Sequence, residues 1–106
     1  MVFKNLDQII ASLERLPYAE ASGKPMTLRA AMKIGVGEAL PDPGEIVSND
    51  EKLSRFNIQV KVFNATNETD FSVEEVAKIK LLVGKYFKVE PMGVIFGLIE
   101  ASAGGS

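Results

Sequence analysis

The chain has 106 residues, of which 46% are hydrophobic and 25% are charged, and its formal net charge is −2 at pH 7. This composition is typical of a single soluble globular domain. The chain contains no cysteine, histidine or tryptophan. Disulfides, thiolate metal sites and cysteine nucleophiles are therefore excluded, and the commonest general base and metal ligand is missing.

No basic run, signal-peptide core or membrane-length apolar segment is present in the sequence. A membrane span would need about 20 consecutive apolar residues, and a nucleic-acid footprint would need clustered Lys and Arg. We therefore expect a cytoplasmic protein with no membrane association, for which nucleic acid is the weakest candidate partner.

The first predicted helix follows Asn5, which is a good N-cap residue. It ends at Pro17 and carries apolar residues at helical spacing, namely Leu6, Ile9, Ile10, Leu13 and Leu16. The glycine and proline that follow predict a loop over residues 18–25. No internal repeat or heptad run is evident.

Thr27 can cap a second helix, predicted from Leu28 to about Leu40. Gly35 and Gly37 lie inside it, where each costs about 1 kcal/mol relative to alanine. They favour either a close helix–helix approach or kink within the fold, or a backbone approach to a ligand or a second subunit. Both interpretations stay open.

A turn is predicted at residues 41–44, where two prolines and a glycine coincide. Ser48 and Glu51 then form an S-x-x-E capping box, which predicts a third helix to about Phe63. Leu53, Phe56, Val60 and Phe63 form its apolar stripe, the side that packs inward in an amphipathic helix. Residues 58–63 also alternate apolar and polar, so a strand is the competing prediction there.

The clearest helix lies over residues 71–87. Ser72 and Glu75 form a second capping box, and Phe71 and Val76 flank it at the spacing of a hydrophobic staple. Pro91 suits the first turn of a last helix, which is predicted to end near Glu100. The sequence thus predicts an all-α single domain over residues 1–100, with four to five short and largely antiparallel helices, followed by a flexible tail over residues 101–106.

The last helix is apolar nearly all round, and Gly93 and Gly97 are four residues apart in it. Because a domain this small has little core to cover such a helix, a subunit interface and a homo-oligomer are predicted, against a purely intramolecular core. The candidate interface residues are Met92, Val94, Ile95, Phe96, Leu98 and Ile99.

Basic residues gather in and after the clearest helix. They are typical of a solvated face and a charged helix end, because Lys complements the dipole at a helix C-terminus. The alternative is a small anion site, formed by Lys80, Lys85 or Lys88 with Arg55 or Arg29, which would suit an anionic nucleotide.

Catalytic motifs are missing. The acidic pairs Asp50–Glu51 and Glu74–Glu75 are explained by helix starts, where negative charge is favourable. No glycine-rich phosphate loop, G-x-S-x-G motif or calcium-loop pattern occurs. We therefore predict no catalytic residue, no metal, no cofactor and no enzyme activity.

The order of these features resembles that of small proteins encoded by tailed bacteriophages and prophages. The resemblance covers about the last four-fifths of the chain, although a helix over residues 5–16 departs from the short extended opening expected of them. It is carried by Gly23–Leu28, Glu38–Leu40, Glu51–Phe56, Phe63–Ala65, Phe71–Glu75, Ile79–Lys80, Val83–Lys85 and Val94–Glu100.

The resemblance implies a phage protein in the host cytoplasm and transfers no site residues. Together with the apolar last helix, it favours an accessory protein that binds a host or phage protein, as a virion assembly factor or an inhibitor. The alternative is a module that sequesters an anionic nucleotide signal at a subunit junction to counter host defence.

Overall fold

Four helices follow an irregular N-terminal segment in the computed structural model, which describes residues 1–104. Helix α1 spans Leu28–Glu38, α2 Asn49–Asn64, α3 Val73–Tyr86 and α4 Val89–Gly104. Within the described residues there is no strand, only isolated antiparallel bridges. The predicted all-α single domain is confirmed, with four helices, and α1 packs against each of the other three.

The core lies between these helices and the N-terminal segment. Phe3 and Phe71 pack with their ring centroids 5.0 Å apart, which joins the start of the chain to the start of α3. The largest fully buried side chains are Phe3, Phe71, Ile10, Leu28, Met32, Ile79, Leu82, Ile95, Ile99, Val36, Val62 and Val83.

Helix α3 begins as its capping box predicts. The Ser72 hydroxyl accepts a hydrogen bond from the Glu75 amide at 3.0 Å, and the Ser72 amide donates to the Glu75 carboxylate at 2.8 Å. Phe71 and Val76 are both buried beside this cap. Two backbone donors at the helix start are thereby satisfied, which fixes where α3 begins.

The glycines of α1 allow close packing inside the fold. A Cβ on Gly35 would lie 2.7 Å from Val83 Cγ2 and 2.9 Å from Val83 Cα, and one on Gly37 would lie 2.0 Å from Gln59 Nε2. The absence of a Cβ at Gly35 therefore lets α1 approach the backbone of α3, and its absence at Gly37 leaves room for the Gln59 side chain. The interpretation as a close helix–helix approach is confirmed.

Helix α2 has the predicted bounds, but the prediction of its buried side is wrong. Leu53, Phe56, Val60 and Phe63 are exposed, and the buried residues of α2 are Ile58 and Val62. Its capping box is also incomplete within the described residues. The Ser48 hydroxyl accepts from the Glu51 amide at 3.1 Å, while the Glu51 carboxylate pairs with Lys78 of α3 instead of returning to the cap.

The predicted helix over residues 6–16 is wrong. Asn5 and Arg15 have φ angles of 56° and 66°, in the left-handed region that a right-handed helix excludes. Residues 12–16 instead form a tight turn, in which the Arg15 amide donates to Ser12 O and the Ser12 amide to Leu16 O. An isolated helix this short is marginal in water, so backbone pairing elsewhere prevails.

The backbone pairing of the N-terminal segment follows an eight-residue repeat in the sequence. The prediction that the chain has no internal repeat is therefore also wrong. An apolar residue followed by Ala or Thr recurs at Ile10, Tyr18 and Met26, each of the last two preceded by proline. Their backbones close a ring of three hydrogen bonds: Ile10 N–H to Met26 O at 2.9 Å, Met26 N–H to Tyr18 O at 2.8 Å, and Tyr18 N–H to Ile10 O at 3.1 Å. The side chains of Ile10 and Met26 are buried.

Helix α4 continues to Gly104, beyond its predicted end near Glu100. Residues 101–104 of the predicted tail thus belong to the helix, and residues 105–106 lie outside the described residues. Helix α4 is not buried all round, because Gly93 and Gly97 are exposed and a Cβ on either would contact nothing within 4 Å.

Candidate functional site

An apolar stripe runs along the outer face of α2. We define the α2 stripe as Leu53, Phe56, Val60 and Phe63, whose exposed fractions are 58%, 56%, 40% and 63%. They recur at alternating spacings of three and four residues, so all four lie along one side of the helix. Scattered exposed apolar residues are ordinary, but a contiguous row of large ones marks an interaction surface.

Contacts on the opposite side of α2 hold the stripe outward. Ile58 and Val62 are buried in the core. The Gln59 amide donates to the carbonyl of Lys33 in α1 at 2.9 Å, and Lys61 pairs with Glu75 of α3 at 2.7 Å. Because α2 is bonded to both neighbouring helices, turning the stripe inward would break these contacts.

Arg29 fixes the C-terminal end of α2. Its Nη1 donates to the carbonyls of Val62 at 2.8 Å, Phe63 at 3.3 Å and Ala65 at 2.8 Å. These carbonyls lie at the negative end of the helix dipole, where helix carbonyls lack the usual amide partner four residues later, although the Val62 carbonyl also accepts from the Ala65 amide at 3.3 Å. The other edge of the guanidinium bonds Asp7, and that hydrogen bond lowers the pKa of the Asp7 carboxyl. Arg29 is therefore a structural residue.

The flank of the stripe that faces α1 is basic. A shallow cavity of about 360 Å³ lies there and is lined by Lys33, Phe56, Gln59, Val60 and Phe63. The Lys33 ammonium lies 5.4 Å from the centroid of the Phe63 ring, within range of a cation–π interaction. Lys52 and Phe56 line a second cavity on the same side.

The flank that faces α3 is acidic. A groove of about 560 Å³ between the helices includes Asp50, Leu53, Asn57 and Glu74 in its lining. Within residues 1–104, neither Asp50 nor Glu74 has an ion-pair partner, and the same is true of Lys33 and Lys52 on the other flank. The α2 stripe thus runs between uncompensated positive charge on one side and uncompensated negative charge on the other.

Two carboxylates that join α2 to α3 are held ionised. A hydrogen bond from Lys78 lowers the pKa of Glu51, and the positive charges of Lys78 and Arg55 act in the same direction. Partial burial raises the pKa of Glu75, but hydrogen bonds from Lys61 and Ser72 outweigh this, so its pKa is also lowered. These ion pairs stabilise the α2–α3 junction at neutral pH.

The structure brings together only part of the predicted anion site. Arg55 and Lys85 line one cavity of about 410 Å³, together with Lys78, which sequence reasoning left out. Carboxylates oppose all three, because Glu51 pairs with Lys78 and lies 3.7 Å from Arg55, and Lys85 lies 3.4 Å from Asp42.

The other two predicted basic residues lie elsewhere. Lys80 points toward α4, where it pairs with Glu100 at 3.0 Å and lies 5.8 Å from the centroid of the Phe96 ring. Lys88 is exposed in the connection between α3 and α4. Neither lines the cavity of Arg55 and Lys85, so four predicted residues do not form one site.

The predicted interface on α4 is largely used within the chain. Ile95 and Ile99 are fully buried in the core, so they have no free surface for a partner, and their assignment to an interface is corrected. Val94, Phe96 and Leu98 are partly buried and pack against the same core, and Met92 is also partly buried.

The residues that the structure describes include no group of three or more acidic side chains placed to hold a metal ion. None of the helices in that part of the chain combines the length and apolar character needed to cross a bilayer.

No family model, curated protein or solved structure matches the chain. The α2 stripe and its two flanks are therefore the features that bear on function.

Proposed function

We propose that this chain is a non-enzymatic phage accessory protein that acts in the host cytoplasm by binding another protein chain through the α2 stripe. The observation that carries the proposal is the row of four large apolar side chains that the chain's own fold leaves exposed. Burying two aromatic side chains supplies much of the energy of a typical protein interface. The phage origin is supported by the sequence resemblance.

The stripe has features of an interface as well as of exposed apolar surface. Its residues sit on a helix held by hydrogen bonds to α1 and ion pairs to α3, so little ordering is needed when a partner binds. The flanking charges provide a polar rim that selects among partners.

Photo-crosslinking in cells that express the protein tests this proposal. A benzophenone amino acid replaces Phe56 in one variant and Leu81 in the control, because Leu81 is equally exposed at 59% but lies on α3. We expect a discrete polypeptide adduct from position 56 and none from position 81. No adduct from position 56, or the same adducts from both positions, would refute a binding role for the stripe.

A second candidate function is sequestration of an anionic nucleotide. It is supported by the convergence of Arg55, Lys78 and Lys85 on one cavity and opposed by the carboxylates that neutralise them. A thermal-shift screen with mono-, di- and cyclic nucleotides tests it, since a ligand at 100 times its Kd adds about 2.7 kcal/mol of stability. A shift that Lys85→Ala abolishes would support the site, and no shift with any nucleotide would exclude it.

A further inference from the structure

We infer that the chain covering the α2 stripe is a second copy of this protein, paired with the first through parallel α2 helices about a two-fold axis. This inference rests on the proposed function, because it names the partner of the same surface. Two observations carry it, the spacing of the stripe and the charges of its flanks, and the exposed area sets how strong the pairing can be.

The spacing is that of a two-stranded helical seam. Positions 53, 56, 60 and 63 alternate steps of three and four residues, as the a and d positions of a coiled coil do. The seam runs from residue 53 to residue 63, ten steps of 1.5 Å, and is therefore about 15 Å long. A helix with such a seam can pack against an identical helix, because knobs and holes repeat at the same spacing on both.

The flanking charges determine the direction of pairing. Lys33 and Lys52 lie on the α1 side of the stripe, and Asp50 and Glu74 lie on the α3 side. When two α2 helices are parallel about a two-fold axis, the α1 side of each copy faces the α3 side of the other, so the basic flank meets the acidic flank twice. An antiparallel pair would place like charges opposite each other, which is unfavourable.

The exposed area indicates a modest interface. Phenylalanine side chains present about 200 Å² each, and Phe56 and Phe63 are exposed by 56% and 63%, so together they offer on the order of 240 Å² per copy. A stable interface buries about 1,200 Å² or more from both partners. The two flanks must therefore contribute buried area to the interface in addition to the stripe. We expect a reversible dimer whose population rises with concentration.

Sedimentation equilibrium across a wide concentration range tests the pairing. We expect the purified protein to move from monomer to dimer, and Phe56→Glu to shift the midpoint at least tenfold higher in concentration. Leu81→Glu is the matched control, expected to leave the midpoint unchanged. Because Phe56 is exposed, Phe56→Glu should keep its far-UV circular dichroism, and its melting temperature should equal that of the unchanged protein at concentrations where both are monomeric. This comparison separates loss of pairing from loss of folding.

The direction of pairing can be read from a single cysteine, since the chain has none of its own. In the parallel pair the two copies of Leu53 face each other, within the roughly 7 Å between Cα atoms that a disulfide requires. In an antiparallel pair centred on the stripe they lie about 15 Å apart along the axis. Mild oxidation of Leu53→Cys alone should therefore give a disulfide-linked dimer. An antiparallel pair would give a disulfide only when Leu53→Cys is mixed with Phe63→Cys.

The outcomes separate the two proposals. A concentration-dependent dimer that Phe56→Glu weakens, with Leu53→Cys linking to itself, supports the inference. A monomer at every concentration overturns it, while adducts of a different protein at position 56 in cells would leave the proposed function standing. A disulfide between Leu53→Cys and Phe63→Cys, or a dimer whose midpoint concentration Phe56→Glu does not change, also overturns it.

Discussion

Replacing Gly35 with alanine should destabilise the protein, although the same change in an open helical position should stabilise it. Alanine gains about 1 kcal/mol over glycine from helix propensity. At Gly35, however, the new Cβ would lie 2.7 Å from Val83 Cγ2 and 2.9 Å from the Val83 Cα. The second contact is with backbone, so α1 and α3 must separate to relieve it, and overpacking of this kind costs about 1–3 kcal/mol. The difference between these two magnitudes is a net loss of up to about 2 kcal/mol.

Gly97→Ala in α4 is the matched control, because a Cβ there would contact nothing within 4 Å. It should gain about 0.5–1 kcal/mol. Urea unfolding followed by far-UV circular dichroism measures both, and equal m-values would show that the changes are in stability. Combining Val83→Ala with Gly35→Ala should cost less than the sum of the two single losses, because removing Val83 Cγ2 relieves one of the two clashes. If Gly35→Ala stabilised the protein as Gly97→Ala does, the close approach of α1 and α3 would be refuted.

Three other substitutions test further parts of the fold. Arg29→Ala should cost about 2–4 kcal/mol in urea unfolding, because three carbonyls at the end of α2 lose a charged donor; Arg29→Lys should recover little, since a single ammonium cannot span them. The lowered pKa of Glu75 predicts stability that is fully present above about pH 4.3, the ordinary glutamate value, and is lost as the pH falls through the folded value. Glu75→Gln should therefore be less stable at pH 7 and lose less on acidification, and equal acid slopes for both proteins would contradict the ion pair with Lys61. Arg15→Gly should raise the melting temperature, because Arg15 has a φ of 66° that glycine adopts freely. A lower melting temperature, which glycine causes inside a helix, would instead favour the predicted helix over residues 6–16.

The helix starts could be predicted from the sequence because their signals are local. Thr27, Ser48 and Ser72 each accept a hydrogen bond from the backbone amide three residues later. The partners of a cap lie within one turn, so no knowledge of the rest of the fold is required. The close approach at Gly35 was one of two open interpretations, because its partner, Val83, is distant in the chain.

The orientation of α2 could not be predicted in the same way. The helix carries two apolar sets, the four residues of the stripe and the pair Ile58 and Val62. The larger set has the stronger helical periodicity and was therefore expected to face inward. Polar neighbours of the smaller set decide the outcome: Gln59 bonds α1, and Lys61 bonds α3. The sequence of α2 does contain a signal for the exposed stripe, because the helix has more apolar residues than one buried face needs.

The apolar residues of the N-terminal segment fit two periods, that of a helix and that of an eight-residue repeat. Residues 6–16 satisfy helical spacing, yet Ile10 belongs equally to the eight-residue repeat that continues at Tyr18 and Met26. The repeat is visible in the prolines at positions 17 and 25 and the alanines at positions 11 and 19, each pair of which is eight residues apart.

The ring of Ile10, Tyr18 and Met26 also makes the protein easy to tag. Its three closing bonds are made by backbone atoms, so the loop tips between them carry no part of the closure. A short epitope placed between Ala21 and Ser22, both exposed at the second tip, would lengthen one turn and leave the ring intact. A label could then be attached at a site remote in sequence from α2, with all four stripe residues unaltered.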